Sequence, residues 1–299
     1  MKIFSGTSGK FLAEKIVQNL GTELSRLEVF VFPDGEKRVR ILDKVLDEDT
    51  VVVQSTSSPV DENYMQLFFI IDALKRGGAK SVTAVVPYLG YQRQDHMFRE
   101  GEDVSVKVIA EILDTIGLDK LITVDLHSIK IKEAFGIPAV ELSALPVFAK
   151  VILEKGWRKD SAVLVTPDMG GIRRIKILSE LLNNMPFAVI EKNRDLETGR
   201  ISAENIEGKI SKKAIIVDDM ISSGKTVAVA ADLLKTRGAE EIYVFATHAV
   251  FSEKAPKILQ ESGVNSVYVT DTVFVPGEKI FPKLKILSVS KLIANELGD

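Results

Sequence analysis

The segment Ala214–Thr226 constrains the fold of this chain more than any other. Residues 214–217 are an apolar run suited to a strand covered on both faces of a parallel sheet, and Val227–Leu234 carries helical spacing. Asp218–Thr226 is then the turn between strand and helix. In an α/β fold such a turn aims the backbone N–H groups and hydroxyls of Ser222, Ser223, Gly224 and Thr226 at one anion over a helix N-terminus. Asp218 and Asp219 cannot face the same phosphate without repulsion, so the pair is expected to one side, holding sugar hydroxyls or a hydrated metal ion. Together these features predict a phosphorylated sugar as ligand. Two other readings exist. Gly224-Lys225-Thr226 matches the end of an NTPase phosphate loop, but that pattern needs a glycine where Asp219 stands. A polar turn without a ligand leaves two adjacent carboxylates with no stabilising purpose.

Around this segment the chain alternates strands and helices. Lys2–Phe4 reads as a strand and Ser8–Leu20 as an amphipathic helix with Phe11, Leu12, Ile16 and Val17 on one face and Gly21 as its C-cap. Leu27–Phe32 reads as a strand, followed by a Pro-Asp-Gly turn over Phe32–Glu36. Strands at Thr50–Gln54, Val82–Pro87 and Leu121–Asp125 then alternate with helices at Glu62–Arg76 and Val104–Ile116. Such alternation predicts a mainly parallel sheet with helices on both faces. The second half repeats the first, because Asp72–Val82 and Asp232–Ile242 share Asp, Leu, Lys, Gly and Ala in register. In each half the preceding strand runs into a serine-rich turn, at Ser55–Ser58 and at Ser222–Ser223. Two similar α/β domains are expected, divided near Ser143–Pro146, with Ala144–Glu154 as the first helix of the second. Only the second copy carries the acid pair.

A net charge of -3 supplies no basic field for nucleic acid or an anionic membrane. The absence of cysteine excludes disulfides, thiolate catalysis and Cys-ligated zinc, which fits a reducing compartment. No apolar run approaches 18 residues, and the N-terminus lacks a signal-peptide pattern, so a cytoplasmic protein with no membrane partner is expected.

Other polar loops follow strands. Pro87–Asp95 packs two tyrosines, Arg93, Gln94 and Asp95 together; arginine can fork onto phosphate oxygens while glutamine reads a donor-acceptor pair. His127 closes the strand that ends in Val124-Asp125-Leu126, at the carboxyl edge where doubly wound sheets bind ligands. Thr166–Gly171 follows the strand Val163–Val165. Its paired glycines let backbone approach a ligand, and Asp168 offers a hard oxygen suited to Mg²⁺. Arg173 and Arg174 come next and serve either anions or solvation of the helix. Glu191–Arg200 has the composition of an exposed hairpin.

The order of these motifs, over essentially the whole chain, resembles the ribose-phosphate pyrophosphokinase family. Ser222, where the larger branch of that family has Asp, is closer to its archaeal-type branch. The resemblance implies two phosphoribosyltransferase-type domains, residues 1–143 on the ATP side and 144–287 on the ribose 5-phosphate side, with the tail 288–299 packing on the first. It implies transfer of the diphosphoryl group of ATP to the 1-hydroxyl of ribose 5-phosphate, with Mg²⁺. It places Arg93, Gln94, Asp95 and His127 on ATP, His127 and Asp168 at the metal, and Asp168, Met169, Gly170 and Gly171 in the diphosphate loop. Asp218, Asp219, Ser222, Ser223, Gly224, Lys225 and Thr226 would bind ribose 5-phosphate. Lys192 and Arg194 would be catalytic cations on a closing flap. Phe32, Asp34 and Glu36 would reach the adenine pocket of a neighbouring subunit, so the active protein would be at least a dimer.

Overall fold

The computed structural model describes residues 1–194, 201–252 and 254–298, with the side chains of 192–194 and 201–204 outside the described set. The chain divides into two compact units. The first comprises Met1–Leu142, Thr272–Phe274 and Val289–Asp299, the second Ser143–Asp271 and Val275–Ser288. Among the described residues no helix is long and apolar enough to cross a membrane.

The first unit begins with β1 (Lys2–Ser5) and α1 (Lys10–Leu20). After a two-stranded hairpin, β2 (Leu27–Val31) and β3 (Lys37–Ile41), come β4 (Asp49–Val53), α2 (Val60–Arg76), β5 (Ser81–Val86), α3 (Ser105–Thr115), β6 (Lys120–Val124) and β7 (Ala139–Leu142). The main sheet has the order β1-β4-β5-β6-β7 and every pairing in it is parallel. The β-branched run of β4 is buried from Thr50 to Val53, as a central parallel strand requires. Its helix α2 carries Asp61 and Glu62 in the first turn and Lys75 and Arg76 in the last, the arrangement that complements the helix dipole. Phe4, Val52, Leu67, Ile70, Ile71 and Val86 belong to the core of this unit. The C-terminal helix Ser290–Gly298 packs on α1, where Asn19 Nδ2 donates to Ser290 Oγ at 3.1 Å.

Several expectations shift here. Helix α1 starts at Lys10, with Gly9 as its N-cap, because the N–H groups of Gly6, Thr7 and Ser8 are committed to the Val53 carbonyl at the end of β4, to Gln66 of α2 and to Gln54. Phe11 is 47% exposed: it lies on the outer side of α1, against Phe274, while Leu12, Ala13, Ile16 and Val17 are buried. The strand at Leu27 does not join the parallel sheet. It pairs antiparallel with β3, whose alternating Lys37-Arg38-Val39-Arg40-Ile41 is a period-two strand signal.

Gly9 is a position of close approach. A Cβ there would lie inside the contact distance of the Val53 carbonyl oxygen, a backbone atom that cannot rotate away. Gly9→Ala is therefore expected to lower thermal stability by about 2 kcal/mol, or roughly 5 °C in Tm, measured by calorimetry on the wild type and the variant.

The second unit contains α4 (Leu145–Glu154), β8 (Ala162–Thr166), α5 (Ile172–Leu181), β9 (Phe187–Arg194), β10 (Ile201–Glu207), β11 (Lys213–Met220), α6 (Lys225–Thr236), β12 (Glu241–His248), α7 (Ala255–Glu261), β13 (Ser266–Thr270) and β14 (Leu284–Leu287). Its sheet runs β10-β9-β8-β11-β12-β13-β14, and only the β9–β10 pairing among the described strands is antiparallel. β8 and β11 are parallel neighbours, with Val163 beside Ala214 and Val165 beside Ile216. The loops that leave their carboxyl ends therefore lie side by side, at the edge where parallel α/β sheets present ligand sites.

Candidate active site

In the second unit the site is built from the ends of β8 and β11. β11 continues through the acid pair instead of ending at Val217: Asp218 pairs with Ala246 and Met220 with His248 of β12. The carboxylates are thus held on strand backbone, and the turn is reduced to residues 221–224. Gly224 takes the left-handed conformation, φ 75°, which favours glycine, and α6 begins directly after it with no side-chain cap. Lys225 N–H donates to Ser223 Oγ at 3.4 Å. Ser222, Ser223 and Thr226 are partly exposed around the mouth of this helix N-terminus, with Lys225 exposed beside them.

Asp219 is buried and Asp218 nearly so. Asp219 N–H donates to Asp218 Oδ1 at 2.9 Å, tying the two residues together. Burial pushes the Asp218 carboxyl well above the ordinary carboxylate range. The neighbouring Asp219 carboxylate adds to this, Asp168 contributes in the same direction, and Arg174 opposes it. Asp168 therefore belongs electrostatically to the same cluster. Its loop is fixed from below, because Thr166 Oγ1 donates to the Asp168 carbonyl at 2.9 Å, and a Cβ on Gly171 would collide with the same Thr166 hydroxyl. Met169 and Gly170 are exposed on the loop.

Arg174, left open in the sequence between two roles, is resolved by its contacts. Its Nη1 stands 3.8 Å from Asp218 Oδ1 and 3.8 Å from Asp219 Oδ1, whereas Arg173 points to solvent. Sequence distance hid this pairing: 44 residues separate the first turn of α5 from Asp218, and only the β8–β11 pairing brings them together.

Lys192 and Arg194 fall at the end of β9, and their side chains lie outside the described residues, as does the segment 195–200.

In the first unit the loop after β5 is tied to the β4–α2 turn. Gly90 N–H donates to Thr56 Oγ1 at 2.7 Å, and Tyr64 Oη donates to the Gly90 carbonyl at 2.8 Å. Arg93 is exposed. Gln94, expected to read the nucleotide, spends its amide on its own loop: Nε2 donates to the His96 and Asp103 carbonyls at 3.3 and 3.2 Å and to Glu102 at 3.4 Å. Glu102 also accepts from the N–H groups of Phe98 and Arg99, so it closes the segment 94–103 into a compact turn. Asp95 sits 2.6 Å from His96 Nδ1.

His127 is exposed just past the end of β6, and its backbone N–H donates to Gln92 Oε1 at 2.9 Å. Gln92 is buried and braces that position, a role that its place in a polar loop did not announce.

Phe32, Asp34 and Glu36 are all exposed at the hairpin tip. Phe30 and Phe32 meet edge to face at 5.0 Å, and the Arg38 guanidinium lies over both rings. Asp34 Oδ1 accepts from Glu36 N–H at 3.2 Å, which rigidifies the turn.

Comparison with known proteins adds an independent line. A family described as the N-terminal domain of ribose phosphate pyrophosphokinase matches residues 1–117, and one described as the phosphoribosyl synthetase-associated domain matches 183–298. A ribose-phosphate pyrophosphokinase of Fusobacterium nucleatum is 40% identical over 298 residues, covering 99% of this chain and 94% of that one. A ribose-phosphate pyrophosphokinase 1 of Streptococcus pneumoniae is 37% identical, covering 99% and 92%. The crystal structure of phosphoribosylpyrophosphate synthetase from Mycobacterium smegmatis superimposes with a TM-score of 0.92 at 34% identity, covering 99% of this chain and 97% of that one.

Proposed function

Because the chain belongs to the ribose-phosphate pyrophosphokinase family, we propose that its second unit binds ribose 5-phosphate at the β11–α6 turn and its first unit binds ATP around the β5–α3 loop. The chain is an enzyme of that class: it transfers the diphosphoryl group of ATP to the 1-hydroxyl of ribose 5-phosphate, giving 5-phosphoribosyl 1-diphosphate and AMP. The observation that carries the residue assignment is the acid pair held on strand backbone beside an uncapped helix N-terminus.

The two halves of the acceptor need opposite chemistry, and the β11–α6 corner supplies both. The 5-phosphate sits at Ser222, Ser223, Gly224, Lys225 and Thr226, where N–H groups and hydroxyls converge on the positive end of α6. Asp218 and Asp219 accept from the ring hydroxyls. A sugar held at both ends presents its 1-hydroxyl in one orientation, and fixing that orientation is a large part of what an enzyme contributes to such a transfer. The 1-hydroxyl oxygen bonds to the β-phosphorus and gives up its proton to solvent, the bond from that phosphorus to the oxygen of AMP breaks, and AMP departs with that electron pair.

Among the described residues no three His, Asp or Glu side chains form a group that could hold a metal, so Mg²⁺ would rest on one or two protein ligands together with substrate phosphates. Asp168 offers a hard oxygen on a loop with paired glycines, and its charge is felt at the neighbouring Asp218. When bound, Mg²⁺ neutralises phosphate oxygens of the transferring group. In the second unit Asp168 is the proposed ligand, with Met169, Gly170 and Gly171 shaping the loop around the diphosphate, and in the first unit His127 is the proposed ligand of the Mg²⁺ carried by ATP. Arg93, Gln94 and Asp95 serve ATP, and Gln94 also holds the loop that carries them. Lys192 and Arg194 supply cations to the transferring group. Phe32, Asp34 and Glu36, exposed on a stiff hairpin, reach the adenine pocket of a second copy, which makes a dimer the smallest active assembly. The units 1–143, with the tail 288–299, and 144–287 correspond to the ATP and sugar-phosphate sides. Substrates and products are small soluble phosphates, which suits a cytoplasmic enzyme without nucleic acid or membrane partners.

The test is AMP formation by purified protein from ATP and MgCl2, with and without ribose 5-phosphate. AMP should appear only when the sugar phosphate is present. AMP at an equal rate without it, or ADP as the nucleotide product, would overturn the reading.

A further inference from the structure

We propose that Gln92 is a positioning residue for His127: it fixes the backbone of His127 against the ATP loop, so that the nucleotide site and the ligand of its Mg²⁺ are held as one piece. This rests on the assignment of His127 to the Mg²⁺ carried by ATP. β5 and β6 are parallel neighbours, with Val86 beside Thr123, so the loops that follow them leave the sheet side by side. Gln92 bridges the two loops. Its Oε1 accepts from His127 N–H at 2.9 Å, and the residue is 1% exposed, so water competes little for the bond. Its Nε2 is buried and has no hydrogen-bond partner among the described residues. A buried amide with one end unused destabilises the fold, and a leucine would fill the same space without that cost. The glutamine is therefore explained by the bond that its oxygen makes.

The segment that Gln92 holds is strained. Asp125 takes φ 38°, in the left-handed region that a residue other than glycine occupies where its surroundings impose it. Three successive N–H groups are spent on imposing it: Asp125 donates to the Leu142 carbonyl at 2.9 Å, Leu126 to Glu141 Oε1 at 3.0 Å and His127 to Gln92 Oε1. The first two partners lie on β7, on one side of β6, and Gln92 holds from the side of β5. Without it, the backbone of His127 loses its hold on that side. Gln92 is itself firmly mounted. Just before it, Gly90 is bonded through its N–H to Thr56 and through its carbonyl to Tyr64, and Tyr91 Oη donates to Asp61 of α2. Arg93 comes next. One stretch of backbone thus sets both the arginine proposed for ATP and, through Gln92, the histidine proposed for its metal ion. Outer contacts of this kind decide how a metal ligand is presented.

The experiment compares the wild type with Gln92→Leu, Gln92→Glu, His127→Ala and the double variant Gln92→Leu/His127→Ala. It reads amide hydrogen exchange at Leu126 and His127 in substrate-free protein, and the Kd for ATP by calorimetry in MgCl2 and in EDTA, with no ribose 5-phosphate present. In Gln92→Leu the His127 amide should exchange at least about 10-fold faster. The Kd for ATP should rise roughly 10-fold in MgCl2 and stay within about twofold in EDTA, because the lost contact acts through the metal ligand. General damage to the ATP loop would instead weaken both alike. Gln92→Glu, which keeps an acceptor oxygen at the same reach, should retain slow exchange at His127 and part of the Mg²⁺-dependent affinity. In the His127→Ala background, Gln92→Leu should change the Kd in MgCl2 by less than about twofold, since the side chain being positioned is gone.

Wild-type exchange at His127 in Gln92→Leu, or wild-type ATP affinity in MgCl2, would overturn the role of Gln92. So would an equal loss of affinity in MgCl2 and EDTA, or a Gln92→Leu effect that persists undiminished in the His127→Ala background. Each of these results leaves the assignment of His127 standing. A His127→Ala protein that binds ATP in MgCl2 as the wild type does would instead overturn that assignment, and the role of Gln92 with it. A failure of the wider functional reading would show separately, as wild-type protein that binds no ATP.

Discussion

Replacing Lys192 or Arg194 with alanine is expected to lower kcat for ribose 5-phosphate-dependent AMP formation by about 10²- to 10³-fold, equivalent to roughly 2.7–4 kcal/mol of barrier. Phosphoryl-type transfer needs little covalent help, so most of the catalysis must come from orientation and from cations placed where charge collects. A cation that acts on the transferring group contributes to the transition state more than to either ground state, so kcat should fall while KM for ribose 5-phosphate changes by less than about threefold. Steady-state kinetics on the two single variants decides this. Wild-type kcat in either would remove that residue from the chemistry, and a change confined to KM would make it a binding residue. The position of the two residues at the end of β9, a neighbour of β8, puts them on the same sheet as the Asp168 loop.

Asp218→Asn should have two opposite effects. It removes a proposed acceptor for the sugar and should abolish detectable turnover or cost at least about 10²-fold in kcat/KM. It should also stabilise the substrate-free protein above neutral pH. Burial, Asp219 and Asp168 raise the folded-state pKa of Asp218 above its unfolded value, against the pull of Arg174. An acid with a raised folded pKa binds its proton more tightly in the folded state, so its contribution to stability falls as pH rises from the unfolded value through the folded one. The wild type bears that cost increasingly as pH rises, and the Asn variant does not. The gain in Tm should therefore grow with pH and shrink as pH falls toward the ordinary Asp range. A gain independent of pH, or a loss at pH 8, would contradict the charge account of this site. Stability given up at an acid pair that function needs is the expected trade at an active site.

The parts of the fold that could be read from the sequence are those with a short-range signature. The apolar run 214–217, the β-branched run of β4 and the polar loops after strands specify a parallel sheet and its carboxyl edge, because both faces of such a strand must be buried and its loops must carry the polar chemistry. Boundaries moved where a side chain or a pairing partner intervened. β11 runs on through Asp218 and Asp219 because β12 continues to pair with it, and α1 starts late because Gln54 and Gln66 take the N–H groups of Ser8 and Thr7. Phe11 misled the helical pattern: an apolar residue at a surface position looks the same in sequence as one facing the core.

At the site, the residues with intrinsic chemistry were visible as types. Their partners were not. Nothing local pairs Arg174 with residues 44 and 45 positions away, or Gln92 with the backbone of His127. Gln94 is the converse case, a residue with the right donors for a ligand that the fold employs on Glu102 and two carbonyls of its own loop.

The most direct test of the central claim is a ³¹P NMR time course of the purified protein with ATP, MgCl2 and ribose 5-phosphate. Intact transfer predicts that AMP and a sugar-linked diphosphate grow in at a 1:1 ratio, with the diphosphate retaining both phosphorus atoms from the β and γ positions of ATP. Growth of ADP with a sugar bisphosphate, or of AMP with free pyrophosphate from the outset, would contradict it.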